Sequence, residues 1–197
     1  MGKLRDASWY NAHFKKKKLF YSKPPSASTV YPLYRDSAQW VINLNLPVTD
    51  VGCGPGILYA ELRERGFGGR YKGVDFSSEA LSIAESLKRS GDNKCSFVNA
   101  DLESIIFSPK VRTSYVICET LEHLEHDVEL IQKIPFGSPL WISVPNFDVA
   151  SHVRHFKEQQ SAVERYGKFF QTFSVNSIPI VFRGKEFHRY YVIAGMR

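Results

Sequence analysis

A chain of 197 residues and 22.5 kDa fits one domain of ordinary size with room for a short appendage. Hydrophobic residues at 43% and charged residues at 23% describe a globular protein, and the want of any apolar run near the roughly 20 residues of a membrane span excludes an integral membrane protein. The net charge of +6 suits an anionic partner or a solvated basic surface, while Cys53, Cys95 and Cys118, with no CxxC pair, point to neither disulfides nor a cysteine zinc site. A reducing, cytoplasmic setting fits best.

Residues 1 to 36 read as a separate cap or lid. They carry the run Lys15 to Lys18, the rings of Trp9, Tyr10, Phe14, Phe20, Tyr21, Tyr31 and Tyr34, and the breaker cluster Lys23-Pro24-Pro25-Ser26. Basic charge interleaved with aromatic rings is how single-stranded nucleic acid is held, so RNA is one candidate partner. A helix closing an acceptor pocket, with Tyr31 and Tyr34 meeting substrate, is the other reading.

From residue 37 to 197 short β-rich runs alternate with helical stretches, the pattern of a parallel sheet covered by helices on both faces. Strands are expected over Pro47 to Gly52, Arg70 to Asp75, Ser96 to Ala100, Ser114 to Cys118, Leu140 to Val144, part of Phe170 to Phe182, and Phe187 to Ala194. Helical spacing falls on Gly56 to Arg65, Ser77 to Arg89, Thr120 to Lys133 and Lys157 to Lys168. No helix separates the last two strands, which predicts an antiparallel hairpin closing a seven-stranded, Rossmann-like α/β sheet.

The strongest chemical signal is Asp50-Val51-Gly52-Cys53-Gly54-Pro55-Gly56, a strand entering a glycine turn and then a helix. Glycine there admits a close backbone turn and a ligand where a Cβ would clash, and the helix start offers free N–H groups to an anion. The dinucleotide fingerprint needs glycine at position 57, where this chain has Ile57, so NAD and FAD are disfavoured. Asp75, Asp101 and Glu119 follow the next three strands. Ligands of open parallel sheets bind at the carboxyl ends of strands, so with Asp50 these acids should border one crevice.

Asp50-x-Gly52-x-Gly54-x-Gly56, Gly73-Val74-Asp75-Phe76, Asn99-Ala100-Asp101-Leu102 and Cys118-Glu119-Thr120-Leu121-Glu122-His123 together resemble the successive motifs of class I S-adenosylmethionine-dependent methyltransferases, over about residues 45 to 146. The resemblance implies S-adenosylmethionine as cofactor and S-adenosylhomocysteine as product. By carry-over, Asp50, Gly52, Cys53, Gly54 and Gly56 hold the methionine part, Asp75 the ribose, Phe76 an adenine face, and Asp101 with Leu102 the adenine edge; Glu119 borders the same pocket. Carboxylates suit a donor that carries a sulfonium and an ammonium.

If a helix begins near Thr120, Glu119, Glu122 and His123 share one face at i, i+3, i+4 spacing. This E-x-x-E-H is similar to the metal-binding element of ubiquinone-pathway O-methyltransferases and of small-RNA 2′-O-methyltransferases. A divalent metal on Glu119, Glu122 and His123, His123 acting directly as base, and plain packing all fit the pattern. Beyond the fifth strand, Asn146, His152, Arg154 and His155 should overhang the acceptor side, with His152 and His155 assisting catalysis and Asn146 and Arg154 meeting substrate. The expected activity is O-methylation of a small molecule; RNA methylation of the 2′-O type and cofactor binding without turnover are the alternatives.

Overall fold

The computed structural model describes residues 2–17, 26, 28–108, 111–182 and 185–197. Seven strands form one sheet: β1 (Val48–Val51), β2 (Tyr71–Asp75), β3 (Cys95–Asn99), β4 (Ser114–Ile117), β5 (Pro139–Pro145), β6 (Thr172–Phe182) and β7 (Lys185–Met196). Their order is β3-β2-β1-β4-β5-β7-β6. The first five are parallel; β7 runs antiparallel to β5 and pairs with β6 as a hairpin. The expected Rossmann-like architecture is therefore present, with β7 inserted between β5 and β6.

Six α-helices are described: α1 (Ala7–Lys16), α2 (Tyr31–Leu44), α3 (Ile57–Glu64), α4 (Ser78–Leu87), α5 (Asp127–Lys133) and α6 (Gln159–Tyr166). None of the described helices is long and apolar enough to cross a membrane. Capping explains the starts of two of them: the Asp6 carboxylate accepts from Trp9 N at 2.9 Å and Ser77 Oγ accepts from Ala80 N at 3.2 Å. Helix α2 runs unbroken across residues 36 and 37, burying Leu33, Ser37, Ala38 and Val41, so no structural break falls at that point.

Alternate residues along the strands feed two cores. Val51, Tyr115, Ile117, Leu140 and Ile142 pack with α5 and α6, while Val48, Tyr71, Val116, Trp141 and Val192 pack with α2 and α3. With apolar layers on both sides, β1, β4 and β5 are buried throughout. Trp141 is fully buried and its indole N–H donates to Asp36 Oδ2 at 3.1 Å, which ties α2 to the sheet; losing that ring would cost about 3–5 kcal/mol.

One expected element forms only in its second half. Instead of a helix over Thr120 to Lys133, Glu119 adopts a left-handed φ of 54°, Leu121–His123 forms a single 3-10 turn, and α5 starts only at Asp127. Arg154 is the reason. Its guanidinium donates to the carbonyls of Leu121 (2.7 Å), Leu124 and Glu125 (3.0 Å), groups that a continuing helix would have bonded to its own N–H groups.

Candidate functional site

The strand order reverses between β1 and β4, and the crevice at their carboxyl ends is where such sheets bind ligands. The glycine loop lies there. Gly52 has φ 77°, and both its N–H and that of Cys53 donate to Val74 O, at 2.8 and 3.0 Å. A Cβ on Gly52 would stand 2.3 Å from Thr120 Oγ1. Gly56 starts α3 at φ 79°, where a Cβ would press on Ala84 Cβ at 3.0 Å. Cys53 is buried with its Sγ turned toward β2, and burial raises its thiol pKa, so it packs the loop from behind.

Asp75 braces this loop, accepting from Gly54 N and Ser77 N at 2.8 Å each through different oxygens. Each oxygen keeps a lone pair for a further donor, as a ribose contact requires. Burial raises its pKa. Asp50 is 2% exposed, accepts from Tyr71 Oη at 2.6 Å, and is pushed up to about 7 by burial. A cationic ligand beside it would restore the charged form. Phe76 and the exposed Asp101 follow β2 and β3; Asp101 Oδ1 accepts from Glu103 N at 2.9 Å, and the Leu102 side chain is buried in the core.

Across the crevice, Glu122, His123 and His152 converge, each offering a ligand atom within 4.8 Å of the others. Val153 N donates to Glu122 O at 2.8 Å, binding the two segments together. His123 Nδ1 faces Ser151 O at 2.9 Å and His152 Nδ1 faces Phe147 O at 3.1 Å. Each Nδ1 therefore carries the proton, which leaves both Nε2 lone pairs free. Burial lowers both imidazole pKa values, that of His123 to about 4, so both rings are neutral near pH 7. Burial, with Glu119 adding to it, raises Glu122 strongly, and both its oxygens are buried without a partner. Two neutral imidazoles beside an unsatisfied buried carboxylate suit a divalent ion.

Glu119 is not in this trio. Its N–H donates to Ser143 Oγ at 3.1 Å, and burial raises its pKa. The shared helical face expected for Glu119, Glu122 and His123 does not form, because the segment turns instead of coiling. His155 also stands apart, its Nδ1 buried and unpartnered.

Asn146 and Arg154 each make contacts within the fold. Asn146 Oδ1 accepts from Arg189 N at 2.9 Å, clamping the end of β5 to β7. Arg154, besides the three carbonyls, pairs at 3.3 Å with the fully buried Asp127, which also holds Arg165 at 2.7 Å and Tyr166 Oη at 2.6 Å. Tyr31 donates to Glu61 on α3 at 3.3 Å, and Tyr34 packs against the α2–α3 core. Neither tyrosine joins the trio.

Helix α1 supplies Asn11, which nothing in the sequence pattern singled out, and with it the rings of Tyr10 and Phe14. Asn11 Oδ1 accepts from Ser77 Oγ and Glu79 N, at 2.8 and 3.3 Å, and docks α1 on the start of α4. The Tyr10 ring then sits 5.3 Å from that of Phe76 and 5.9 Å from that of His123, and Phe14 lies beside Gly54. Burial, with Glu122 and Asp75 nearby, raises the Tyr10 phenol pKa. Lys15, Lys16 and Lys17 are exposed; Lys18, Phe20, Tyr21 and the Lys23-Pro24-Pro25 part of the breaker cluster lie outside the described residues.

A glycine loop at the switch point, with carboxylates at the ends of β1 and β2 and a polar trio facing them, defines a nucleoside-cofactor domain built for group transfer. Residues 48–134 match the family model described as a methyltransferase domain. A ubiquinone biosynthesis O-methyltransferase of Candida albicans is 28% identical over 113 residues, 54% of this chain. That stretch is 35% of the relative, so the chain spans about a third of its length. Among solved structures, magnesium protoporphyrin IX methyltransferase from Synechocystis PCC 6803 superposes with a TM-score of 0.66 at 16% identity, covering 97% of this chain and all of that one. The methyltransferase domain of the bacterial protein CtHen1-C gives 0.61 at 20% identity, covering 86% and 100%.

Proposed function

We propose that this domain transfers a methyl group from S-adenosylmethionine to an oxygen of a small molecule, at the trio Glu122, His123 and His152. The observation that carries the reading is the pair of neutral imidazoles, His152 buried and His123 half-buried, each turning Nδ1 to a backbone carbonyl, next to an unpartnered carboxylate. Asp50, the loop Gly52 to Gly56, Asp75, Phe76, Asp101 with Leu102, and Glu119 hold the donor. Transfer is an in-line displacement on an already activated carbon, so alignment dominates catalysis and is worth up to ~7–11 kcal/mol.

A hydroxyl presented to His123 Nε2 loses its proton to the imidazole as the C–O bond forms and the C–S bond breaks. A divalent ion on Glu122, His123 and His152 would instead lower the hydroxyl pKa and hold a second oxygen of the acceptor. Tyr10 and Phe14 close the crevice against water, which makes residues 1 to 36, in their described part, the cap over the site. The relative named for O-methylation agrees with oxygen as the acceptor atom.

RNA as acceptor is the second reading, favoured by Lys15, Lys16 and Lys17 standing exposed at the end of the helix that roofs the site. Incubating the protein with S-adenosylmethionine labelled on its methyl group and a cell lysate, then separating RNA, protein and small molecules, decides between them. Base-labile or ether-bound label in the small-molecule extract is expected. Nuclease-sensitive label would replace this reading with the RNA one, and proven cofactor binding without label anywhere would indicate binding without turnover.

A further inference from the structure

Rings continue outward from the trio in an unbroken line. His123 and His152 lie 5.0 Å apart between centroids, His152 and Phe147 5.5 Å, Phe147 and His188 4.2 Å, and His188 and Phe187 4.5 Å. Phe147 and His188 are stacked at an interplanar angle of 22°, and the Tyr190 ring stands T-shaped to Phe147 at 86°. His188 and Tyr190, two residues apart on β7, share a face of the strand. The line thus begins at the expected reaction centre and ends at the surface.

Its outer end lies where the sheet has stopped. The register pairs Pro145, the last residue of β5, with Tyr190, so β7 residues before Tyr190 overhang the carboxyl edge on which the site sits. Within the overhang, Ile180 opposes His188 and Val181 opposes Glu186, which leaves Phe187 as the extra residue of a β-bulge. Bulges re-aim side chains and gather near functional sites. Phe187 is 72% exposed, so packing within the fold does not account for an aromatic ring there. The clamp from Asn146 Oδ1 to Arg189 N holds Phe147 in stacking register with His188.

We propose that Phe147, His188 and Phe187 form an acceptor-binding wall that takes a planar aromatic ring by stacking and presents its hydroxyl substituents to the trio. A ring lying on this wall extends the series already built into the protein, in the offset or edge-on arrangements that aromatic pairs favour. The inference rests on the trio being the methyl-transfer centre. A saturated acceptor of equal size would gain apolar contact there without the stacking.

The test uses the full chain with S-adenosylhomocysteine bound, catechol as probe and trans-1,2-cyclohexanediol as its non-aromatic counterpart, with binding followed by saturation-transfer NMR. Catechol is expected to bind saturably and the saturated diol at least several-fold more weakly. Phe187→Ser and Phe187→Leu, both at an exposed position that folding does not depend on, should each weaken catechol by about threefold to tenfold while S-adenosylhomocysteine affinity stays within about twofold. His188→Ala should act in the same direction. Equal binding of the two diols, no saturable catechol binding, or catechol affinity indifferent to all these variants would overturn the wall. If catechol binds as described but label from the methyl donor never reaches its oxygen, O-methylation fails and the wall stands. If label reaches an aliphatic hydroxyl and Phe187→Ser does not alter the rate, the wall fails and O-methylation stands.

Discussion

Substituting Gly52 by alanine probes the link between the glycine loop and the turn at Glu119–His123. At φ 77° an alanine pays the left-handed penalty of roughly 1–2 kcal/mol. Its Cβ would also meet Thr120 at Oγ1 (2.3 Å), Cγ2 (2.6 Å) and Cβ (3.0 Å), so a stiff β-branched side chain must move whole. Overpacking of that kind costs about 1–3 kcal/mol, for a total of about 2–5 kcal/mol, or a melting temperature lower by about 4–20 °C in a chain of this length. Thr120 adjoins Glu119, whose N–H is tied to Ser143, and precedes the Glu122–His123 turn, so cofactor affinity and turnover should fall together. Thermal unfolding and calorimetric titration with S-adenosylhomocysteine on the wild type, Gly52→Ala, Thr120→Ala and the double variant would measure this. Thr120→Ala removes Oγ1 and Cγ2 and loses the contact to Cys118 O at 3.0 Å, so it is mildly destabilising alone yet relieves most of the clash. The double variant should therefore be more stable than the two single losses combined. A Gly52→Ala protein melting within about 2 °C of wild type, or strict additivity in the double variant, would refute the reasoning.

Asp50, raised to about 7 from an ordinary 3.8, holds a proton in the folded chain that the unfolded chain releases, so its contribution to stability falls as pH rises from about 4 to about 7. In Asp50→Asn the stability profile of the cofactor-free protein should flatten over that window by up to about 4 kcal/mol, and parallel urea-unfolding profiles would contradict this. A divalent ion on the trio predicts that EDTA abolishes turnover while S-adenosylhomocysteine affinity is retained, and full activity in EDTA would leave His123 as base without a metal. Arg154→Met frees the carbonyls of Leu121, Leu124 and Glu125, while Asp127 keeps Arg165 and Tyr166, so stability should fall by about 1–3 kcal/mol. With the turn loosened, kcat should drop by about 10²-fold at near-normal cofactor affinity, and an unchanged kcat would show the turn to be rigid without Arg154.

The parallel strands and the glycine loop were legible because their signals are local: short β-rich runs, glycines at a strand end, and an acid after each following strand. The turn at Glu119–His123 was not. Glu119-Thr120-Leu121-Glu122-His123 has helical spacing, and what unwinds it is an arginine about thirty residues downstream capturing its carbonyls. The contacts of that arginine and of Asn146 were equally illegible, because their partners, Asp127 and β7, are brought near only by the fold. Pairing of His152 with His123 was foreshadowed by position alone, whereas Tyr10 entered the site through the docking of Asn11 on α4, a contact spanning 66 residues.

The insertion of β7 between β5 and β6 makes the chain's assembly order-dependent. β5 has β4 on one side from the time both are made, but its other edge stays open until residues 185–196 exist, since β6 reaches the sheet only through β7. A nascent chain halted before β7 would expose an apolar strand edge next to the half-built catalytic crevice, an invitation to mispairing. Loss of residues 185–196 would likewise remove a strand from within the sheet instead of paring its rim, so an intact crevice and the presence of β7 are coupled by topology.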